Sequence, residues 1–166
     1  MTKSKTFLAA ATVFNGDDDG PKYQKAKSDY VTDAMSEQGI LTLLRGLQSA
    51  PASIAVLFDS YGGEIDKIAA DATAFAHRGN TRYSIQYTKE WTAAGDTAAN
   101  VAMVRTLHSS MRPFVSGGAY VNYCDLDLEG GYARAYWGDN LARLIRIKAQ
   151  VDPNNVFRHA QSVPVS

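Results

Sequence analysis

The stretch Arg82-Tyr83-Ser84-Ile85-Gln86-Tyr87-Thr88-Lys89-Glu90-Trp91 decides the fold. Tyr83, Ile85 and Tyr87 alternate with Ser84, Gln86 and Thr88, which is the period-2 pattern of a strand with one apolar and one polar face. A strand of this kind packs one face on a core and leaves the other open, so antiparallel pairing is expected. Downstream, residues 97–111 carry Val101, Val104, Leu107 and Met111 in one line at helical spacing. Upstream, residues 36–50 read as a helix: Ser36 can cap it, Ile40, Leu43, Leu44 and Leu47 form a stripe, and Pro51 ends it. Between these, Ile54, Ala55, Val56, Leu57 and Phe58 form the unbroken apolar run of a buried strand, which Tyr61-Gly62-Gly63 breaks.

The ends are read the same way. Residues 7–14, from Phe7 to Phe14, are expected to form a strand, followed by the turn Asn15-Gly16-Asp17-Asp18-Asp19-Gly20-Pro21. The three aspartates lack the alternate spacing of a calcium loop. Residues 119–123 read as a short strand after Gly117-Gly118, and residues 134–150 as a last helix stopped by Asp152-Pro153. There is no internal repeat. The connections do not suit parallel βαβ units, so the fold class is α+β: an antiparallel sheet covered on one face by helices.

Composition narrows the function classes. The 166 residues are 45% hydrophobic and 20% charged, as in a globular domain. Seventeen basic and 17 acidic residues give a net charge of +0, so neither nucleic acid nor an anionic membrane is expected as a partner. Cys124 is the single cysteine, which excludes an internal disulfide. The apolar stretch after Lys3 and Lys5 is too short to read as an export signal, and no segment is long enough to span a bilayer. The three histidines, His77, His108 and His159, have no metal-ligand spacing. Gly62-Gly63, Gly117-Gly118 and Gly130-Gly131 lack the spacing and context of a phosphate-binding loop.

Three groups of residues together resemble one family. The first is Lys25-Ala26-Lys27-Ser28-Asp29-Tyr30-Val31. The second is Tyr61-Gly62-Gly63 with Phe75-Ala76-His77-Arg78-Gly79-Asn80 and the strand through Trp91. The third is Ala119-Tyr120-Val121-Asn122-Tyr123-Cys124-Asp125-Leu126-Asp127-Leu128, continued by Tyr136-Trp137-Gly138, Asp152-Pro153-Asn154-Asn155-Val156-Phe157 and Gln161-Ser162-Val163-Pro164. This pattern is similar to the C-terminal, substrate and berberine-like region of berberine bridge enzyme-like FAD-linked oxidoreductases. The resemblance implies residues 1–128 as a substrate domain and residues 129–166 as a segment returning to an FAD-binding domain that this chain does not carry. It implies FAD as cofactor, held mainly by that domain in cis or in trans, and a small-molecule substrate (alcohol, sugar, phenolic or amine). Relatives of this kind are often secreted. The other reading is a flavin-free binding module descended from the same family.

Oxidising a C–H bond beside a hydroxyl or amine sends a hydride to the flavin and a proton to a base. By resemblance Tyr123 is the catalytic tyrosine, either as that base or as an orienting donor. Work as a phenolate near neutral pH needs roughly three pH units of stabilisation, about 4 kcal/mol. Some relatives have a lysine where this chain has Ser84, so that stabilisation is not expected here. Gln86 stands where the alkaloid-cyclising member has a glutamate base, and an amide accepts no proton, so it is expected to hydrogen-bond substrate with Ser84 and Tyr120. Asn122, Asn155 and Phe157 are the residues the resemblance brings near the cofactor. By strand alternation, Tyr120 and Asn122 are expected to face differently from Tyr123.

Overall fold

The computed structural model describes residues 6–9, 22–50 and 54–166. Three strands, β1 (Tyr23–Val31), β2 (Ala55–Ser60) and β3 (Tyr83–Trp91), form an antiparallel sheet in the order β1-β3-β2. Helix α1 (Glu37–Ser49) lies between β1 and β2, and α2 (Thr97–Met111) follows β3. Two further helices, α3 (Tyr132–Trp137) and α4 (Leu141–Val151), form the C-terminal part.

The register sorts the sheet into two faces. Ile85 and Tyr87 sit between Asp29 and Lys27 of β1 and Phe58 and Val56 of β2. On this face the fully buried Ile85, Tyr87, Val104 and Met111 join Val31, Leu43, Ile54 and Leu107 in one core beneath α1 and α2. Each such aliphatic side chain stabilises the fold by about 1.5–3 kcal/mol. Ser36 caps α1 by accepting from the Gly39 N–H at 3.2 Å. The two helices meet at Gly46, where an added Cβ would stand 2.4 Å from Leu107 Cδ1, so a larger residue would force the buried Leu107 side chain to move. On the opposite face, Ser84 and Gln86 of β3 lie between Tyr30 and Ser28 of β1 and Asp59 and Leu57 of β2. Among the described residues no helix covers that combination, and it is the face that positions the site.

The C-terminal part has its own core of Ala119, Ala133, Tyr136 and Trp137. A buried network ties it to the preceding chain. The Tyr136 hydroxyl accepts from the Asp125 N–H and donates to Gln161 Oε1, and the Gln161 amide donates to the Asp125 carbonyl. Asp125 also accepts from Lys25 and Lys27, while Asp127 takes both lysines and Arg105 of α2.

The fold class agrees with expectation, but several elements differ. Strand β1 is absent from the sequence reading because Lys25, Lys27 and Asp29 point to the helix side, so neither face of that stretch alternates in polarity. These charges are tolerated there because Asp125, Asp127, His108 and Arg112 meet them. Residues 119–123 are a turn, not a strand: the Tyr123 N–H bonds the Tyr120 carbonyl at 3.0 Å and the Tyr120 N–H is taken by the Ser28 hydroxyl. The expected helix over 134–150 is two helices, broken at Gly138 with φ +51°. Phe7, Leu8 and Ala9 are helical where a strand was expected; the rest of 7–14 and the aspartate turn lie outside the described residues.

Candidate active site

The open face gathers side chains from four places. Strand β3 supplies Ser84, which is buried, and Gln86, half-buried. Strand β2 supplies Asp59, whose Oδ2 is 3.5 Å from the Ser84 hydroxyl. Strand β1 supplies Ser28 and Tyr30. The turn at 119–123 is anchored onto this face by the bond from the Tyr120 N–H to Ser28 Oγ at 2.8 Å. That anchor, with the turn itself, brings the Tyr120 and Tyr123 rings edge to face at 4.9 Å. Alternation along a strand would have separated them, so the turn corrects the expectation that Tyr120 and Tyr123 face apart.

A train of aromatic rings supports the pair. Tyr30 meets Tyr61 at 5.6 Å, Tyr61 meets Phe75 at 6.1 Å, and Phe75 meets Tyr120 at 6.3 Å. His77 stacks on Tyr30 at 3.9 Å and its Nε2 lies 3.1 Å from the Ala135 carbonyl, which pins α3 to the same cluster. His77 is thus a packed structural residue. Asn122 is exposed and donates its amide to the Tyr120 hydroxyl at 2.8 Å.

Electrostatics bear on which group can take a proton. Burial holds the Tyr123 hydroxyl above its ordinary pKa, and Asp59, Tyr120 and Tyr61 push in the same direction. No cation opposes them, in keeping with Ser84 at the position where some relatives have a lysine. Tyr123 is therefore a protonated phenol at neutral pH, and the carboxylate facing it belongs to Asp59. Burial raises Tyr30 much further, with the neighbouring Tyr61 pushing the same way, and the Tyr30 hydroxyl is buried without a hydrogen-bond partner. The Gln86 amide makes no hydrogen bond among the described residues, which leaves it free for a ligand.

Tyr123, Tyr120, Ser84 and Gln86 are thus brought to one face, with Asn122 at its rim. Asn155 and Phe157 are elsewhere. They follow α4, where Asp152 accepts from the Val156 and Phe157 N–H groups and from Lys148. Phe157 is 80% exposed, and Asn155 has φ +50° with its Oδ1 buried and unpartnered. None of their hydrogen bonds reaches the tyrosine cluster. Asp59 and Tyr61 escaped sequence reading as site residues. Their signal was parity: Leu57, Asp59 and Tyr61 alternate along one run, but the stretch reads as uniformly buried.

A cavity of about 1050 Å³ lies on the far side of the Tyr30–His77 stack from Tyr61, bounded by those two rings and by Lys27, His108, Arg112 and Arg134. Its cationic side chains Lys27, Arg105, Arg112 and Arg134 are each already paired with a carboxylate. Neither Gln86 nor Tyr123 lines this cavity. Among the described residues no His, Cys, Asp and Glu cluster could hold a metal ion, and no helix is long and apolar enough to cross a membrane.

Residues 119–164 match the family of berberine and berberine-like domains. "Berberine bridge enzyme-like C-1" of Nicotiana tabacum is 40% identical over 172 aligned positions, an alignment that covers 84% of this chain and 30% of the relative. "Berberine bridge enzyme-like 14" of Arabidopsis thaliana is 35% identical, over 86% of this chain and 30% of its own length. Among solved structures, the berberine bridge enzyme of Eschscholzia californica superposes with a TM-score of 0.80 at 30% identity, covering 86% of this chain and 33% of that one. Phl p 4, a grass pollen allergen with glucose dehydrogenase activity, gives 0.78 at 31% identity, covering 85% and 32%. The chain spans about 30% of the length of the curated relatives it matches.

Proposed function

We propose, because this chain belongs to the berberine bridge enzyme-like family, that it forms the substrate-facing and C-terminal part of an FAD-dependent oxidoreductase acting on an alcohol, sugar, phenolic or amine. The observation that carries this is the shared open face of Ser84, Gln86, Asp59 and Tyr123. A flavin held over that face supplies the two-electron acceptor for a hydride. What supports a covering role is that the half-buried Gln86 and the exposed Asp59 stand on a sheet face that no helix covers among the described residues. In this reading residues 1–128 carry the substrate face and residues 129–166 return to the flavin-binding polypeptide.

The chemistry assigned to this chain is placement and proton handling. Gln86 orients the substrate through its unengaged amide, flanked by Ser84 and Tyr120. Tyr123, protonated, hydrogen-bonds the substrate oxygen or nitrogen, and the proton which that atom loses passes to the Asp59 carboxylate. Asn122 reaches the rim nearest the cofactor. Asn155 and Phe157 close the C-terminal segment against the flavin-binding polypeptide; Phe157 is presented outward by the Asp152 turn.

The test is made in a flavin-loaded protein: the tobacco relative with its matching segment replaced by this chain. Members of the four substrate classes are mixed with it anaerobically and flavin bleaching is followed. Tyr123→Phe is expected to slow reduction by on the order of 10²-fold with whichever substrate reacts. An unchanged rate would remove Tyr123 from the reacting group.

A further inference from the structure

Residues 61–82 connect β2 to β3 without a strand or helix of their own. Their regular pieces are single turns, such as those closed by the Ile65 N–H on the Gly62 carbonyl and the Ala72 N–H on the Ala69 carbonyl. Yet this segment supplies Tyr61 and Phe75 to the aromatic train behind Tyr120 and Tyr123. A loop with so little hydrogen bonding of its own takes its place from what grips it.

The grip comes from the C-terminal part. Asn140 is buried and donates its side-chain amide to two carbonyls of the loop, Ala70 at 2.7 Å and Thr73 at 3.1 Å. Arg143, nearly one turn further along, donates to the Asp71 carbonyl at 3.0 Å. Asn140 stands at the N-cap of α4, where an asparagine side chain ordinarily accepts an N–H of the first turn. It makes no such bond here, because the side chain is turned from its own helix to the loop. Thr73 passes the grip on. Its hydroxyl accepts from Arg78 Nη2 at 3.4 Å, and the Arg78 guanidinium lies 5.0 Å from the centre of the Phe75 ring. Phe75 in turn sits edge to face with Tyr120 at 6.3 Å.

We infer that Asn140 is a positioning residue for the substrate face. It acts through the loop: by holding residues 70–73 it fixes Phe75, and with Phe75 the aromatic wall against which a substrate lies. This rests on the proposed function and deepens it, since it makes the C-terminal part a determinant of substrate binding. The wall serves binding, not proton handling. Asp59 and Ser84 come from the sheet, and the turn with Tyr123 is held by the Ser28–Tyr120 bond, so none of the three depends on the clamp. The fold does not depend on it either. Ala70 and Thr73 are exposed, so water meets their carbonyls once the amide is gone, and α4 loses no cap bond.

The test uses the flavin-loaded tobacco relative carrying this chain in place of its matching segment. Flavin reduction is followed anaerobically against the concentration of whichever substrate reacts, which separates the half-saturating concentration from the limiting rate. Asn140→Ala and Asn140→Ser should each raise the half-saturating concentration by about 3–10-fold, the size of one aromatic contact. The limiting rate should stay within about two-fold of the parent's, as when binding alone is lost. Serine caps a helix well but cannot span two carbonyls, so a mere capping role would leave Asn140→Ser at the parent's values. Phe75→Leu should show the same split, and adding Asn140→Ala to it should change little more. An unchanged half-saturating concentration in either Asn140 variant, a loss confined to the limiting rate, loss of flavin from both variants, or full additivity with Phe75→Leu each overturns the inference and leaves the functional reading standing. A parent graft that holds no flavin, or holds it and is reduced by none of the four substrate classes, sinks the functional reading and this inference with it.

Discussion

Replacing Asp125 by alanine should destabilise this chain by about 3 kcal/mol. Asp125 and Lys27 have side chains only 4% and 6% exposed, and Lys25 also reaches the same carboxylate. Removing one partner of a buried ion pair typically costs 3–5 kcal/mol, because the other charge is left buried. Here Asp127 still accepts from Lys27 at 3.1 Å and from Lys25 at 2.9 Å, which puts the loss at the low end. With a urea dependence of about 2 kcal/mol per molar, the unfolding midpoint should fall by about 1.5 M. Lys27→Met combined with Asp125→Leu removes both charges and should cost less than Asp125→Ala alone. The effect matters for the site because Asp125 holds the turn that carries Tyr123. An Asp125→Ala midpoint within 0.3 M (about 0.6 kcal/mol) of the parent would refute the reasoning, since it would mean that Lys27 finds water once its partner is gone.

Further outcomes follow from the same geometry. Burial lowers His77 below its ordinary value, outweighing its bonds toward the Ala135 and Tyr136 backbone. The unfolded chain then binds this proton more readily, so stability is full above about pH 6.5 and is lost as pH falls below it. His77→Gln should narrow the difference between urea midpoints at pH 7 and pH 5. Asp59→Asn removes one of the influences that raise Tyr123, after burial, so the Tyr123 ring carbon resonance should titrate at lower pH in the variant. A titration that does not move would place Asp59 too far away to act on Tyr123.

The parts of the fold that were legible in the sequence are those where one physical pattern dominates. Strand β3 alternates cleanly, and residues 97–111 keep a helical stripe, so both were read almost to the residue. Strand β1 was illegible because its inward side chains are charged, and the partners that make this tolerable lie about 100 residues away at Asp125 and Asp127. The turn at 119–123 was misread because its short apolar-polar alternation fits a strand, while the decisive fact is a hydroxyl from another strand, Ser28, taking the Tyr120 N–H. At the site, resemblance points to Gln86, Ser84, Tyr120 and Tyr123; the sheet register puts only Ser84 and Gln86 on one face, and the Ser28–Tyr120 bond brings the turn with Tyr120 and Tyr123 onto it. Asp59 was invisible because the sequence does not show that the 55–60 run has a partner on one edge only.

If this chain supplies contacts and proton handling to a flavin that other polypeptide holds, the purified 166-residue chain, incubated with excess FAD and desalted, should show no flavin bands in its visible absorbance. One FAD retained per isolated chain would mean that the chain holds the cofactor by itself and would overturn the proposed function.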